Sequence, residues 1–255
     1  MSGFPNYCAN GTLRGMNSRV LLILFALLLC LPLVAQQVDM REWLNAETKE
    51  ERIRRLVSLG VERETADEIT SSIEHTVEWL PIRSEKAQEY AILFLPCGLD
   101  LANLYLMKRD GGNWQVSDHV ELDCHYDGTV SVEISPIRKS TLDEVLVHHA
   151  GEGHGTGLSQ QNFKVFDVVN GKLKVVLDVE EVIIASAVPA GSRELLQRSV
   201  FVTIPIGGSQ SRVIEETRSV TLNGKLTVQR RIFRWAESKG SYQPTRFASV
   251  VSGGK

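Results

Sequence analysis

Five of the six histidines fall between residues 119 and 154: His119, His125, His148, His149 and His154. Asp123, Asp127, Asp143, Glu144 and Glu152 are interleaved with them. Imidazole and carboxylate are the ligand types that suit Zn²⁺ and related ions. The densest stretch is VLVHHAGEGHGTG, residues 145–157. On a strand, His148 and His149 point to opposite faces, so they do not easily share one ion. One of them, with Glu152 and with His154 reaching back across the glycines, is the set that could hold zinc. His119 or His125 adds a ligand only if their hairpin lies alongside. The spacing lacks the helical His-Glu-x-x-His signature. The ordinary reading weighs more: Gly151, Gly153, Gly155 and Gly157 form a pliable hairpin connection, and the histidines are strand and loop residues.

The same glycines invite a phosphate-binding reading, and their context rejects it. Such a loop follows a strand and opens a helix, whose N-terminus meets the phosphate. Here the following LSQQNFKVFDVV reads as a strand, and neither Gly-x-Gly-x-x-Gly nor Gly-Lys-Ser/Thr occurs. A Gly-x-Ser-x-Gly nucleophile elbow is also absent. Arg230, Arg231 and Arg234 in LTVQRRIFRW read as a solvated strand face, with an anionic ligand as the sharper alternative. Trp43, Trp79, Trp114 and Trp235 are too scattered for a stacking platform and read as packing residues.

The elements that would position these residues begin after an export leader. Arg19 precedes an uncharged run, Val20–Ala35, VLLILFALLLCLPLVA. Its 16 residues would make a helix of about 24 Å, short for a hydrocarbon core of ~30 Å. A positive flank, an apolar run, Pro32 near its end and Ala35 before a cut read as a secretory signal peptide over residues 1–35. Met16 is the expected true start, because residues 1–15 fit no leader design. An uncleaved anchor, or a lipid at Cys30, is the minority alternative. Cleavage removes Arg14 and Arg19 and no acid, and it leaves no Asn-x-Ser/Thr sequon, which leans towards a bacterial periplasmic or secreted protein. Cys8 and Cys30 leave with the leader. Cys97 and Cys124 remain, and in an oxidising compartment an even pair favours a disulfide over free thiols or thiolate ligands.

Residues 36–82 read as a helical hairpin. Ile53, Leu56 and Val57 sit at helical spacing, and Gly60 is placed as a stop. Ala66, Ile69, Ile73, Val77 and Leu80 then share a face until Pro81. From about residue 87 the period changes to two, with ten strand-like runs up to Trp235. Asp110-Gly111-Gly112, Asp127-Gly128, Asn170-Gly171 and Asn223-Gly224 supply residues suited to tight hairpins. Short spacing makes neighbours antiparallel. YLMKRDGGNWQV, FDVVNGKLKVV and SVTLNGKLTVQ echo one another, as repeated hairpin grammar or as a repeated blade-like unit.

The expected fold is mainly β (α+β). A helical hairpin precedes an antiparallel β-meander domain over residues 83–250, as sandwich, barrel or partial propeller, with a disordered tail at 251–255. The chain has 255 residues, 28 Lys+Arg and 31 Asp+Glu. That near-neutral balance argues against a nucleic-acid partner. The leading expectation is an exported, non-catalytic binding or structural module. Its partner would be a protein or small ligand in the export compartment, and the membrane is met only in transit. No cofactor is expected. The alternative is a metal-dependent enzyme or metal-binding protein with zinc at His148 or His149, Glu152 and His154.

Overall fold

In the computed structural model the described residues are 39–45, 48–71, 77–83, 88–97, 101–124, 129–138, 142–152, 158–184, 195–206, 212–222 and 225–252. For 151–152, 158–160, 180–184, 195–198, 222 and 251–252 they are described by backbone alone. The expected leader and its expected cleavage site, the Asp127-Gly128 and Asn223-Gly224 turns, Ile73, His125, His154 and residues 253–255 lie outside them.

Three short helices come first: α1 (Met40–Leu44), α2 (Lys49–Ser58) and α3 (Arg63–Ser71). Thr48 caps α2, its hydroxyl oxygen accepting the Glu51 N–H at 3.3 Å. Glu51 in turn pairs with Arg54 and Arg55. Gly60, at φ +99°, turns the chain out of α2 as its position in the sequence implies. The helical reading to Leu80 is corrected: α3 ends at Ser71, and Glu78–Ile82 is a strand, β1. Pro81 interrupts no ladder there, because β1 is the edge of its sheet.

Among the described residues, the remaining chain forms three antiparallel sheets in sequence order. Sheet 1 holds β1, β2 (Tyr90–Leu95), β3 (Leu101–Asp110) and β4 (Asn113–Asp123). Sheet 2 holds β5 (Thr129–Ser135), β6 (Glu144–Glu152), β7 (Leu158–Val169) and β8 (Lys172–Ile184). Sheet 3 holds β9 (Leu195–Pro205), β10 (Arg212–Leu222), β11 (Lys225–Ala236) and β12 (Ser241–Pro244), with β13 (Ala248–Ser252) also on β11. The ten strand-like runs are all strands, so the antiparallel meander read from the sequence is the fold.

The first two sheets share a device. The hairpins β3–β4 and β7–β8 turn on Gly111-Gly112 and Asn170-Gly171, all four residues at positive φ. Each then carries a register shift at the same distance from its turn, at Leu106/Met107 and at Val165/Phe166. Two of the sequence echoes mark these hairpins. The third, SVTLNGKLTVQ, falls on β10–β11, whose register runs without a shift.

The sheets stack face to face. Leu93, Leu95, Tyr105 and Met107 on one face of sheet 1 meet Leu56, Leu59, Ala66 and Ile69 from the helical segment. On the other face, Ile92, Phe94, Leu104 and Leu106 meet Val145, Val147, Phe166 and Val168 of sheet 2. That is why YAILFL reads as an unbroken apolar run: β2 is covered on both sides. The second face of sheet 2, with Leu146, Phe163 and Val165, meets Ile214, Phe233 and Tyr242 of sheet 3. The β4 bulge also grips the turn of sheet 2. Ser117 Oγ donates to the Gly171 carbonyl at 2.7 Å, and Asp118 accepts the Leu173 N–H at 2.7 Å. A Cys97–Cys124 disulfide ties the β2–β3 connection to the end of β4, as the cysteine pair implies. Such bonds persist in oxidising compartments.

Candidate functional site

Alternation along β6 sends Val145 and Val147 to sheet 1 and Leu146 and His148 to sheet 3. Register places Ser131 of β5 and Phe163 of β7 opposite His148, and Glu133 opposite Leu146. These side chains therefore share one face. From across the gap, β9 supplies Ser199, Phe201 and Thr203. Phe201 stacks on Phe163 with ring centroids 4.4 Å apart, and the His148 ring lies 4.7 Å from Phe163.

The sheets do not close completely around this group. Two cavities of about 250 and 290 Å³ remain, and His148 and Phe201 line both. Glu133 and Thr203 also line the first, and Thr129, Ser131, His149, Gln161 and Ser199 also line the second. Burial pushes the His148 ring below its ordinary value, and Glu133 pulls the other way without overcoming it. The ring is therefore neutral near pH 7 and offers one donor and one acceptor.

A polar chain runs from the cleft into sheet 3. Gln161 Oε1 accepts the Ser199 N–H at 3.4 Å, and Ser199 Oγ donates to Glu216 at 3.1 Å. Glu216 is fully buried and also takes Arg218 at 3.0 Å and Arg231 at 2.5 Å. Both guanidinium groups lie 4.5 Å from the Phe247 ring. This corrects the reading of the three arginines as one solvated face. Arg231 points inward to a buried partner, while Arg230 and Arg234 point the other way.

A second buried cluster joins the same two sheets. Glu144, fully buried, accepts the Ile137 and Arg138 backbone N–H groups at 3.1 Å. It also accepts the Tyr242 hydroxyl at 2.7 Å and Arg138 Nε at 2.5 Å. Arg138 reaches Asp167 at 2.7 Å and lies 3.9 Å over Trp235. Burial and Glu144 push the Tyr242 hydroxyl far above its ordinary range, so it stays a donor. Every named group here is engaged by another, so the cluster is a clamp.

His148 and His149 both line the second cavity, and His119 stands apart from them. His119 donates to Asn103 Oδ1 at 2.8 Å and stacks 4.2 Å from Tyr105, on the face of sheet 1 that meets the helices. His149 takes the face of β6 opposite to His148, with its Nδ1 3.5 Å from the Asn162 amide. Glu152 ends β6, paired in register with Ser159, and only its backbone is described. Among the described residues, no three His, Cys, Asp or Glu side chains stand together as metal ligands. Among them too, no helix is long and apolar enough to cross a membrane. The tryptophans pack as expected: Trp79 meets Trp114 edge-on at 4.9 Å, and Trp235 meets Tyr242 at 5.3 Å.

Sequence reasoning singled out His148 and missed its company. Glu133, Ser131 and Gln161 lie on β5 and β7, and Ser199 and Phe201 on another sheet. The alternation of TVSVEIS, with Ser131 and Glu133 on one side, was the available signal. No family model, no curated protein and no solved structure matches this chain.

Proposed function

We propose that this is an exported, non-catalytic binding module that takes a small, uncharged, hydroxyl-rich ligand in the cleft around His148. The observation that supports it is the lining. A neutral imidazole, four hydroxyl side chains, an amide and a carboxylate surround a wall of stacked phenylalanines. Such groups hydrogen-bond hydroxyls while the rings cover a ligand's apolar edge. The cavities suit a molecule of monosaccharide size. Export is supported by the leader-like run 19–35 and by the disulfide.

The experiment follows the His148 ring resonances by NMR while N-acetylglucosamine, glucose and galactose are titrated in turn. A saturable shift with at least one sugar, lost in Phe201→Ala, is expected. No shift with any of them overturns the ligand class. Hydrolysis of nitrophenyl esters or glycosides that disappears in His148→Ala overturns the non-catalytic reading. Zinc titrated into the same sample tests the metal alternative, which a stoichiometric shift of His148 and His154 together would establish. Intact mass after expression in an export-competent host should show a chain beginning at Gln36.

A further inference from the structure

We propose that two copies of this chain associate through the outer face of sheet 3, the face turned away from sheet 2. Each other sheet face is covered by the fold. Helices cover the outside of sheet 1, and the inner faces meet one another. On the outer face of sheet 3, Val200 is 47% exposed, Val202 44% and Leu226 46%. Single exposed valines are ordinary. These belong to one continuous surface, because register sets Val202 beside Glu215 and Glu215 beside Ile232 across three strands.

The arrangement of charge points to a second copy as the occupant. Along β10 this face carries Glu215 and then the hydroxyls of Thr217 and Ser219. Along β11 it carries Arg230 and Arg234 between apolar residues. The two rows are neighbours, with Glu215 3.8 Å from Arg230. A two-fold axis parallel to the strands, between β10 and β11, lays β10 of one copy over β11 of the other. Glu215 then meets the arginine row of the second copy, and the second copy's Glu215 meets the first, which is the reciprocity an isologous interface requires. Three strands about eleven residues long, with the short β12 and β13 beside them, offer roughly 700 Å² per copy at ~4.8 Å strand spacing and ~3.4 Å per residue. That is close to the ~800 Å² per partner of a standard stable interface.

The test is sedimentation equilibrium over a concentration series, on protein purified from cells expressing the full chain. A monomer–dimer equilibrium is expected. Val202→Lys and Leu226→Lys should each weaken it by about tenfold or more, with the circular dichroism spectrum unchanged. Val202→Ile should keep it. E215R and R230E should each self-associate poorly, and their equimolar mixture should recover a heterodimer. The charge exchange decides the matter even if a lysine variant fails to fold. A monomer at every concentration overturns the proposal, whether the face is left bare or meets a lipid surface or another protein. A dimer indifferent to all four changes, or a mixture that recovers nothing, also overturns it.

Discussion

The contact between sheets 1 and 2 and the contact between sheets 2 and 3 differ in what fills them. The first is apolar and mostly aliphatic, with Ile92, Phe94, Leu104 and Leu106 against Val145, Val147 and Phe166. Cross-sheet hydrogen bonds flank it: Ser117 donates to the opposing turn and Asp118 accepts from it, and Arg83 N–H donates to the Asp143 carboxylate. The second contact holds two fully buried carboxyl groups, Glu144 and Glu216, a run of phenylalanines, and the cleft. Buried charge costs several kcal/mol unless it is paired and hydrogen-bonded. Here both carboxyl groups are surrounded by donors. The second contact is thus held by specific partners at two points, and between them the sheets leave room. Space for a ligand arises where packing is local.

The largest effects test whether the two contacts are held in these different ways. Glu144→Ala removes the acceptor for Tyr242, for Arg138 and for two backbone N–H groups. It should cost about 3–5 kcal/mol in urea unfolding, because Arg138 is left buried without its closest acid. Phe166→Ala, a cavity in the aliphatic contact, should cost a similar ~3–5 kcal/mol. The His148 resonances discriminate the two: they should move in Glu144→Ala and stay in place in Phe166→Ala. A cleft equally disturbed by both would erase the distinction.

Next is the staple on sheet 1. The disulfide closes a separation of 27 residues. Replacing both Cys97 and Cys124 with Ser should lower stability by about 3–4 kcal/mol on the chain-entropy estimate. Sheet 1 lies away from the cleft, so ligand affinity should be unchanged. A smaller loss is expected at the rim. Asp118→Ala leaves the Leu173 N–H without its acceptor and should cost ~1–3 kcal/mol, read by the same unfolding curves.

The aliphatic contact was far more legible in the sequence than the cleft. Hairpins announce themselves locally: Asn170-Gly171 fixes both the turn and the pairing of β7 with β8. Cys97 and Cys124 declared their own bond. β1 was hidden because Val77 and Leu80 continue the helical spacing of Ala66 and Ile69, and Pro81 in an edge strand looks like a stop. The cleft was hidden for a different reason. Ser131 stands opposite His148 only because of a register set across the longer connection 136–143, which no two-residue turn dictates. Phe201 arrives from another sheet altogether. Arg231 differs from Arg230 by one step of the pleat, and only the position of Glu216 decides which of them is buried. Chemistry-bearing residue types can be read one at a time, whereas their company depends on pairing between distant strands.

The smallest effect belongs to His148, and it separates the two contacts by pH. Its ring is held below the ordinary 6.5 mainly by burial, with Glu133 opposing. The other side chains facing it, Ser131, Phe163, Phe201 and Thr203, do not titrate in this range. The unfolded chain therefore takes up the proton as pH falls through 6.5, while the folded chain does not. Folding stability should accordingly decline below pH 6.5, no more steeply than ~1.4 kcal/mol per pH unit from this group. The decline should level off once the pH passes the folded-state value. His148→Gln should flatten the profile between pH 7 and 5 in urea unfolding, leaving only what the other histidines contribute. A bound sugar whose hydroxyl donates to the unprotonated ring nitrogen should hold the ring neutral further down in pH, and so extend the wild-type decline to lower pH. If the slope is the same in His148→Gln, the imidazole is not the titrating group at this contact, and the neutral ring assigned to the cleft is wrong.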